Sequence, residues 1–277
     1  MTAPYKGAQA PANDLSPPVG ESLENGILTL TMQRPERKNS LSEEMMAGLQ
    51  ASLEAAAANP DVKVVVIRST GNVFCAGHDL KEMTAARAHD DRGRAYYVEM
   101  MGRCSTLMQT VVRLPKPVIA VVEGLATAAG AQLVASCDLA ITTDTATFCT
   151  PGVNIGLFCS TPMVALSRNV SRKQAMEMLL TGETIDASTA KEFGLINRIV
   201  PKDYLEPVVK KYAETIASKS PLTVKIGKEA FYNQAEMSLS DAYDYCANVM
   251  VENMLARDAE EGINAFLQKR KPEWTGK

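Results

Sequence analysis

Two short segments carry residue types suited to chemistry. Phe74-Cys75-Ala76-Gly77-His78-Asp79-Leu80-Lys81-Glu82 follows an apolar run at residues 62–68 and leads into helix-compatible residues. Glu123-Gly124-Leu125-Ala126-Thr127-Ala128-Ala129-Gly130-Ala131-Gln132 follows a second apolar run at residues 117–122 and opens a stretch of very small side chains. A turn from strand to helix aims free backbone N–H groups outward, and small residues let a ligand approach them. Two such turns facing each other would hold one carbonyl oxygen between two N–H donors, which is an oxyanion hole. Small residues at a helix start serve close helix–strand packing equally well, so both readings stand at this point.

Other chemistries lack their residues. The chain of 277 residues has only two histidines, His78 and His89, and no H-E-x-x-H, so a zinc site is not expected. His89 lies in the charged stretch Ala88-His89-Asp90-Asp91-Arg92 and reads as a surface histidine. No G-x-G-x-x-G follows a strand, and neither a G-x-x-x-x-G-K-[ST] loop nor a G-x-S-x-G elbow occurs. Cys75, Cys104, Cys137, Cys149, Cys159 and Cys246 form no C-x-x-C pair, and they read as reduced, buried thiols. Cys159, just before Ser160-Thr161-Pro162 at an expected helix start, would have a lowered pKa there, with Ser160 or Thr161 as cap.

Net charge is −3, from 29 Lys+Arg against 32 Asp+Glu, which argues against a nucleic-acid binder. The 46% hydrophobic and 22% charged content is that of a globular protein, and no apolar run approaches the ~20 residues that span a bilayer. Residues 1–20 are rich in Pro and Ala without a basic-plus-hydrophobic pattern. They read as a flexible lead, and the protein as cytoplasmic.

Positioning two such turns needs a scaffold of strands and helices. Residues 27–32, 62–68, 117–122, 139–143 and 146–149 read as strands, and the unbroken Val64-Val65-Val66-Ile67 indicates one covered on both faces. Helical segments lie between them at residues 45–58, 85–114, 127–137, 162–170 and 172–181, with Ser42 or Ser40 as the first cap and Pro162 at a first helical position. Residues 69–80 read as a loop. After Pro201 only helices are expected, at residues 204–219, 223–233, 240–256 and 258–269, the last opened by an Asp258/Glu261 capping box. The organisation is an α/β core at residues 21–200 followed by an all-helical region at residues 201–277.

The motifs resemble the crotonase, or enoyl-CoA hydratase/isomerase, superfamily. Arg34-Pro35-Glu36-Arg37-Lys38-Asn39-Ser40-Leu41 is similar to its R-P-x-x-x-N-[AS]-L motif, and Phe74-Cys75-Ala76-Gly77-His78-Asp79-Leu80 to F-x-A-G-x-D-[LI]. Residues 124–138 resemble G-x-A-x-G-G-G-x-x-L-x-x-x-C-D. Leu180-Thr181-Gly182-Glu183, Ala190 with Gly194-Leu195-Ile196, and Glu261-Gly262 with Phe266 and Lys269-Arg270-Lys271 continue the match, which covers residues 22–272.

The resemblance implies a spiral of ββα units with a helical trimerisation region, hence a homotrimer or a dimer of trimers. It implies an acyl-CoA thioester as substrate, with coenzyme A part of that substrate and no separate cofactor. The oxyanion donors would be the backbone N–H groups of His78 and Ala129. Lys38, Ala76, Gly77, Asp79, Leu80 and Gly130 would contact substrate, with Phe266 and Lys269 supplied by a neighbouring subunit. The two glutamates of family hydratases correspond to Gln132 and Gly152, an amide and a residue without a side chain. Each missing acid/base group is worth roughly 10²–10⁴ in rate, so hydration is expected to be weak or altered. An acyl-CoA enzyme relying on its oxyanion hole, a decarboxylase or thioesterase, and a non-catalytic acyl-CoA-binding protein all remain open.

Overall fold

The computed structural model describes residues 16–277. Its chain begins with a hairpin, β1 (Val19–Glu24) and β2 (Ile27–Met32), and then α1 (Glu43–Ala58), capped by Ser42 through Met45 N–H. Three ββα turns follow. The first is β3 (Val64–Ser69), β4 (Val73–Cys75), α2 (Leu80–Ala86) and α3 (Arg94–Arg113). The second is β5 (Val118–Val122), β6 (Leu125–Thr127) and α4 (Ala129–Ser136). The third is β7 (Leu139–Thr143), β8 (Thr147–Cys149), α5 (Pro162–Leu166) and α6 (Arg172–Thr181). Then come β9 (Ile185–Asp186), α7 (Ala187–Glu192) and β10 (Arg198–Val200), before α8 (Lys202–Ala217), α9 (Pro221–Gln234), α10 (Leu239–Leu255) and α11 (Arg257–Leu267).

Each ββα turn gives one strand to each of two sheets. The larger runs β1-β2-β3-β5-β7-β10 and the smaller β4-β6-β8-β9, with β3, β5 and β7 parallel in one and β4, β6 and β8 parallel in the other. The apolar run in β3 is explained by this layering. Val65 and Ile67 join the core shared with α1, α3 and α4, while Val64 and Val66 face Leu205, Val209 and Ala213 of α8. Hence α8 closes the second face of the large sheet, and α9 is tied to the core by Lys228 and Tyr232, both hydrogen-bonded to Asp138.

Several sequence expectations are corrected. Val19 and Gly20, placed in the lead, belong to β1, and the rest of that expectation through residue 15 lies outside the described residues. The loop at 69–80 contains β4, and the helix expected at 127–137 starts only after β6, because strands of three residues are too short to show a period. The helix expected at 85–114 is two helices. Asp91 accepts hydrogen bonds from Gly93 N–H (2.9 Å) and Ala95 N–H (2.7 Å) and so restarts the chain as α3. The Asp258/Glu261 capping box does not form. Asp258 is buried and accepts from Ser220 Oγ (2.6 Å) and from the Thr275 and Gly276 N–H groups, while Glu261 pairs with Arg270.

Candidate active site

The two segments singled out for chemistry are the connections β4→α2 and β6→α4. Parallel pairing of Val73 with Leu125 and of Cys75 with Ala126 sets them side by side at the carboxyl ends of adjacent strands. A Cβ built on Gly77 would stand 3.3 Å from the Ala129 nitrogen and 3.0 Å from the Ala128 Cβ, so the turns touch. Neither His78 N–H nor Ala129 N–H has an acceptor among the described residues.

Ala128 aims the second donor. Its backbone sits at φ 51°, ψ −118°, a conformation that an L side chain resists, and its N–H is anchored on Cys149 O at 2.9 Å. This geometry orients the peptide between Ala128 and Ala129 at the first position of α4, where an N–H has no intrahelical partner. Ala128→Gly is expected to raise stability by about 1 kcal/mol by relieving this strain. A urea unfolding midpoint that falls instead would show that Ala128 is not strained in the folded chain.

The packing reading of the small residues holds at Gly130. A Cβ on Gly130 would come within 2.3 Å of Cys75 O, so Gly130 permits α4 to pack on β4. Ala129, one residue earlier, has an N–H with no acceptor among the described residues.

Gln132 and Gly152 differ in kind. Gln132 is 4% exposed in the first turns of α4, and its Oε1 is buried with no partner among the described residues. Gly152 lies in a 3₁₀ turn, Pro151–Ile155, closed by Leu157 N–H donating to Gly152 O at 2.9 Å. A Cβ there would stand 2.6 Å from Leu157 O and 2.9 Å from Cys159 Sγ. The backbone itself therefore excludes a longer side chain at 152.

The His78 imidazole leans on Leu41 O through Nδ1 at 3.4 Å, and its Nε2 is buried without a partner among the described residues. Burial holds its pKa below the ordinary histidine value, so the ring is neutral at pH 7. His89 is exposed, as expected. Asp79 caps α2, accepting from Lys81 N–H at 2.8 Å, and lies 3.9 Å from Arg37. Lys38 is exposed in a left-handed conformation, and its carbonyl accepts from Ala76 N–H at 3.1 Å. Leu80 is exposed. Phe266 and Lys269 are exposed on and just beyond α11, which packs chiefly on α9 and α10, so a single chain does not bring them to the two turns.

The expectation for Cys159 is reversed. Burial pushes its thiol up, and α5 is too short to oppose that. Neither Ser160 nor Thr161 caps α5 with its side chain, although Pro162 does take the first helical position. All six cysteines are free thiols, and all but Cys246 are buried.

Sequence reasoning missed Asn39 as a fastener. Its side chain accepts from Arg34 N–H (2.8 Å) and donates to Thr70 O and Val73 O (2.8 Å each), joining the Lys38 loop to the segment entering β4. Asn39 is fully buried, so Asn39→Ala removes three hydrogen bonds to backbone and should cost about 3 kcal/mol. Urea unfolding would measure it, and a loss below about 1 kcal/mol would mean that water replaces the amide.

The fold, with two parallel-stranded layers and turns that present free N–H groups, defines a crotonase-type protein. The profile of the enoyl-CoA hydratase/isomerase family matches residues 22–277, and the chain belongs to that family, whose members act on acyl-CoA thioesters. It is 45% identical over 271 residues to the rat enoyl-CoA hydratase domain-containing protein 3, covering 97% of this chain and 89% of the relative. The crystal structure of the human protein of that name superposes with a TM-score of 0.88 at 46% identity, covering 93% of this chain and all of the other. An enoyl-CoA hydratase from Mycobacterium smegmatis gives 0.89 at 47% identity, covering 94% and 99%. The expected α/β spiral with its C-terminal helices is thus borne out. The cytoplasmic expectation is overturned, because the rat and human relatives are both named as mitochondrial proteins.

Proposed function

We propose that this chain is an acyl-CoA thioester enzyme whose principal tool is the pair of N–H donors at His78 and Ala129, and whose hydratase activity is weak or altered. The observation that carries this reading is the strained Ala128, which precedes the unpartnered Ala129 N–H on a turn that touches the one bearing the unpartnered His78 N–H. Strain of this kind persists where the surroundings impose it and concentrates at functional sites. In the reaction, negative charge developing on the thioester oxygen is met by both N–H groups. The amide of Gln132 orients an acyl group or a water by hydrogen bonding but cannot exchange a proton at neutral pH. Gly152 contributes no acid or base.

Lys38 and the backbone around Ala76, Gly77, Asp79, Leu80 and Gly130 line the thioester's path, and coenzyme A enters as part of the substrate. The exposed apolar residues Leu239, Tyr243 and Leu255 of α10 and Ile263 of α11 support a homotrimer or a dimer of trimers, in which Phe266 and Lys269 reach a neighbouring subunit's coenzyme A. The net charge of −3 supports no nucleic-acid partner.

A second reading is favoured by the absence of a carboxylate at 132 and 152. Decarboxylation of a 2-carboxyacyl thioester makes the enolate without a base. Loss of CO₂ leaves the electron pair on the thioester, the two N–H groups hold the oxygen, and water returns the proton to carbon. Incubation with crotonyl-CoA and a panel of malonyl- and simple acyl-CoA thioesters, with turnover and binding followed separately, tests the readings. Slow hydration beside faster turnover of another thioester supports an altered enzyme. Binding without turnover of any thioester would assign the chain to acyl-CoA binding alone.

A further inference from the structure

The segment carrying the first oxyanion donor is zipped to the head of α1. Leu41 N–H donates to Gly77 O at 2.7 Å, His78 Nδ1 stands 3.4 Å from Leu41 O, and Ser40 Oγ lies 3.5 Å from Asp79 Oδ2. One further contact comes from a side chain with no assigned role. Glu82, in the first turn of α2, accepts the Glu43 N–H at 3.0 Å through Oε2. Glu43 is the first residue of α1, so this is an N–H that the helix cannot satisfy itself. A carboxylate there also meets the positive end of the helix.

We propose that Glu82 is a positioning residue that clamps the His78 turn to the N-terminus of α1 and so fixes the direction of the His78 N–H. The proposal rests on the oxyanion-hole reading for its catalytic consequence, but the clamp itself stands on the contacts above. Glu82 is the only one of them that is a titratable side chain bridging α2 directly to the α1 backbone. Charged and titratable groups face it from each neighbouring element. Asp79 lies on the turn before α2, Glu43 on α1 is paired with Arg103 of α3, and Arg37 precedes the Lys38 loop. Tyr96 of α3 has its hydroxyl buried beside Glu82 and Glu43, where burial and then those carboxylates push it up to about 12. Burial of Glu82, reinforced by repulsion from Asp79 and Glu43, outweighs the Glu43 N–H and Arg37 and holds its pKa above the ordinary glutamate value. Protonation of Glu82 therefore begins at a higher pH than for a free glutamate, and the neutral acid keeps a carbonyl oxygen that accepts the Glu43 N–H.

Two measurements on Glu82→Ala and Glu82→Gln test the clamp. Amide hydrogen exchange across residues 40–46 and 77–83 should quicken about tenfold in Glu82→Ala, the loss of one charge-assisted hydrogen bond read as local opening. Glu82→Gln retains an acceptor oxygen and should restore most of that protection. For any thioester that turns over, Glu82→Ala should lower kcat by about tenfold to a hundredfold with little change in KM, as a misdirected donor does. Glu82→Gln should recover most of that loss. Unchanged exchange in Glu82→Ala overturns the clamp whatever the enzyme does. Quickened exchange without any thioester turnover, even in the unaltered protein, would leave the clamp standing and sink the catalytic reading instead. Quickened exchange with an unchanged kcat would overturn the claim that the clamp directs the donor.

Discussion

Ala129→Pro is expected to lower turnover of whichever thioester the protein processes by about 10²–10³-fold, the loss seen when one oxyanion donor is removed. Proline deletes the N–H, and because α4 begins at Ala129 the ring falls at a first helical position, which tolerates it. The fall should lie in kcat, with KM for the thioester little changed, since the hydrogen bond strengthens only as charge develops on oxygen. The residue before a proline is itself restricted, and Ala128 is already strained, so the thermal melt must be compared alongside. A loss of less than about tenfold with an unchanged melt would mean that the oxygen's charge is met elsewhere.

Gln132→Glu should raise hydration of crotonyl-CoA by about 10²-fold, the lower end of what one positioned acid/base group supplies. The site is buried, so the new carboxyl would titrate above the ordinary range, and the rate would acquire a matching pH dependence. The companion change should do the opposite. Gly152→Glu drives a side chain into Leu157 O and Cys159 Sγ, and a destabilisation of about 3 kcal/mol or more is expected in urea unfolding. The two positions are thus not equivalent vacancies. One keeps a side chain whose chemistry can be exchanged, and the other has been closed by backbone. A stable, hydrating Gly152→Glu variant would contradict this account of the 3₁₀ turn.

The scaffold was legible where the sequence has length and period. The apolar run in β3, the Ser42 cap, Pro162 at the head of α5 and the helices after Pro201 all follow from patterning that a few residues suffice to set. The small sheet was not legible. β4 and β6 each span three residues, and their pairing depends on the ββα path rather than on local preference. The turns that follow these strands stood out in the sequence before the strands did, because glycine and alanine after an apolar run are informative at any length.

The two turns were legible in the sequence, and the contacts that support them were not. Asn39 sits inside a motif that the sequence flags, yet its three bonds run to backbone as far away as Val73, beyond the reach of spacing arguments. The same holds for Glu82, whose partner is a backbone N–H 39 residues earlier. The Cys159 thiol shows the reverse error. A helix start suggested a lowered pKa, but burial raises it, and burial belongs to the tertiary fold.

The carbonyl stretch of a bound acyl-CoA, recorded by isotope-edited infrared spectroscopy with a ¹³C label at the thioester carbon, tests the central claim most directly. Two N–H donors on one oxygen polarise the C=O bond, so the band should move to lower frequency on binding, and Ala129→Pro should return much of that shift at comparable occupancy. A bound thioester whose carbonyl absorbs as it does in water, and is indifferent to Ala129→Pro, would contradict the assignment of His78 and Ala129 as the groups that hold the substrate oxygen.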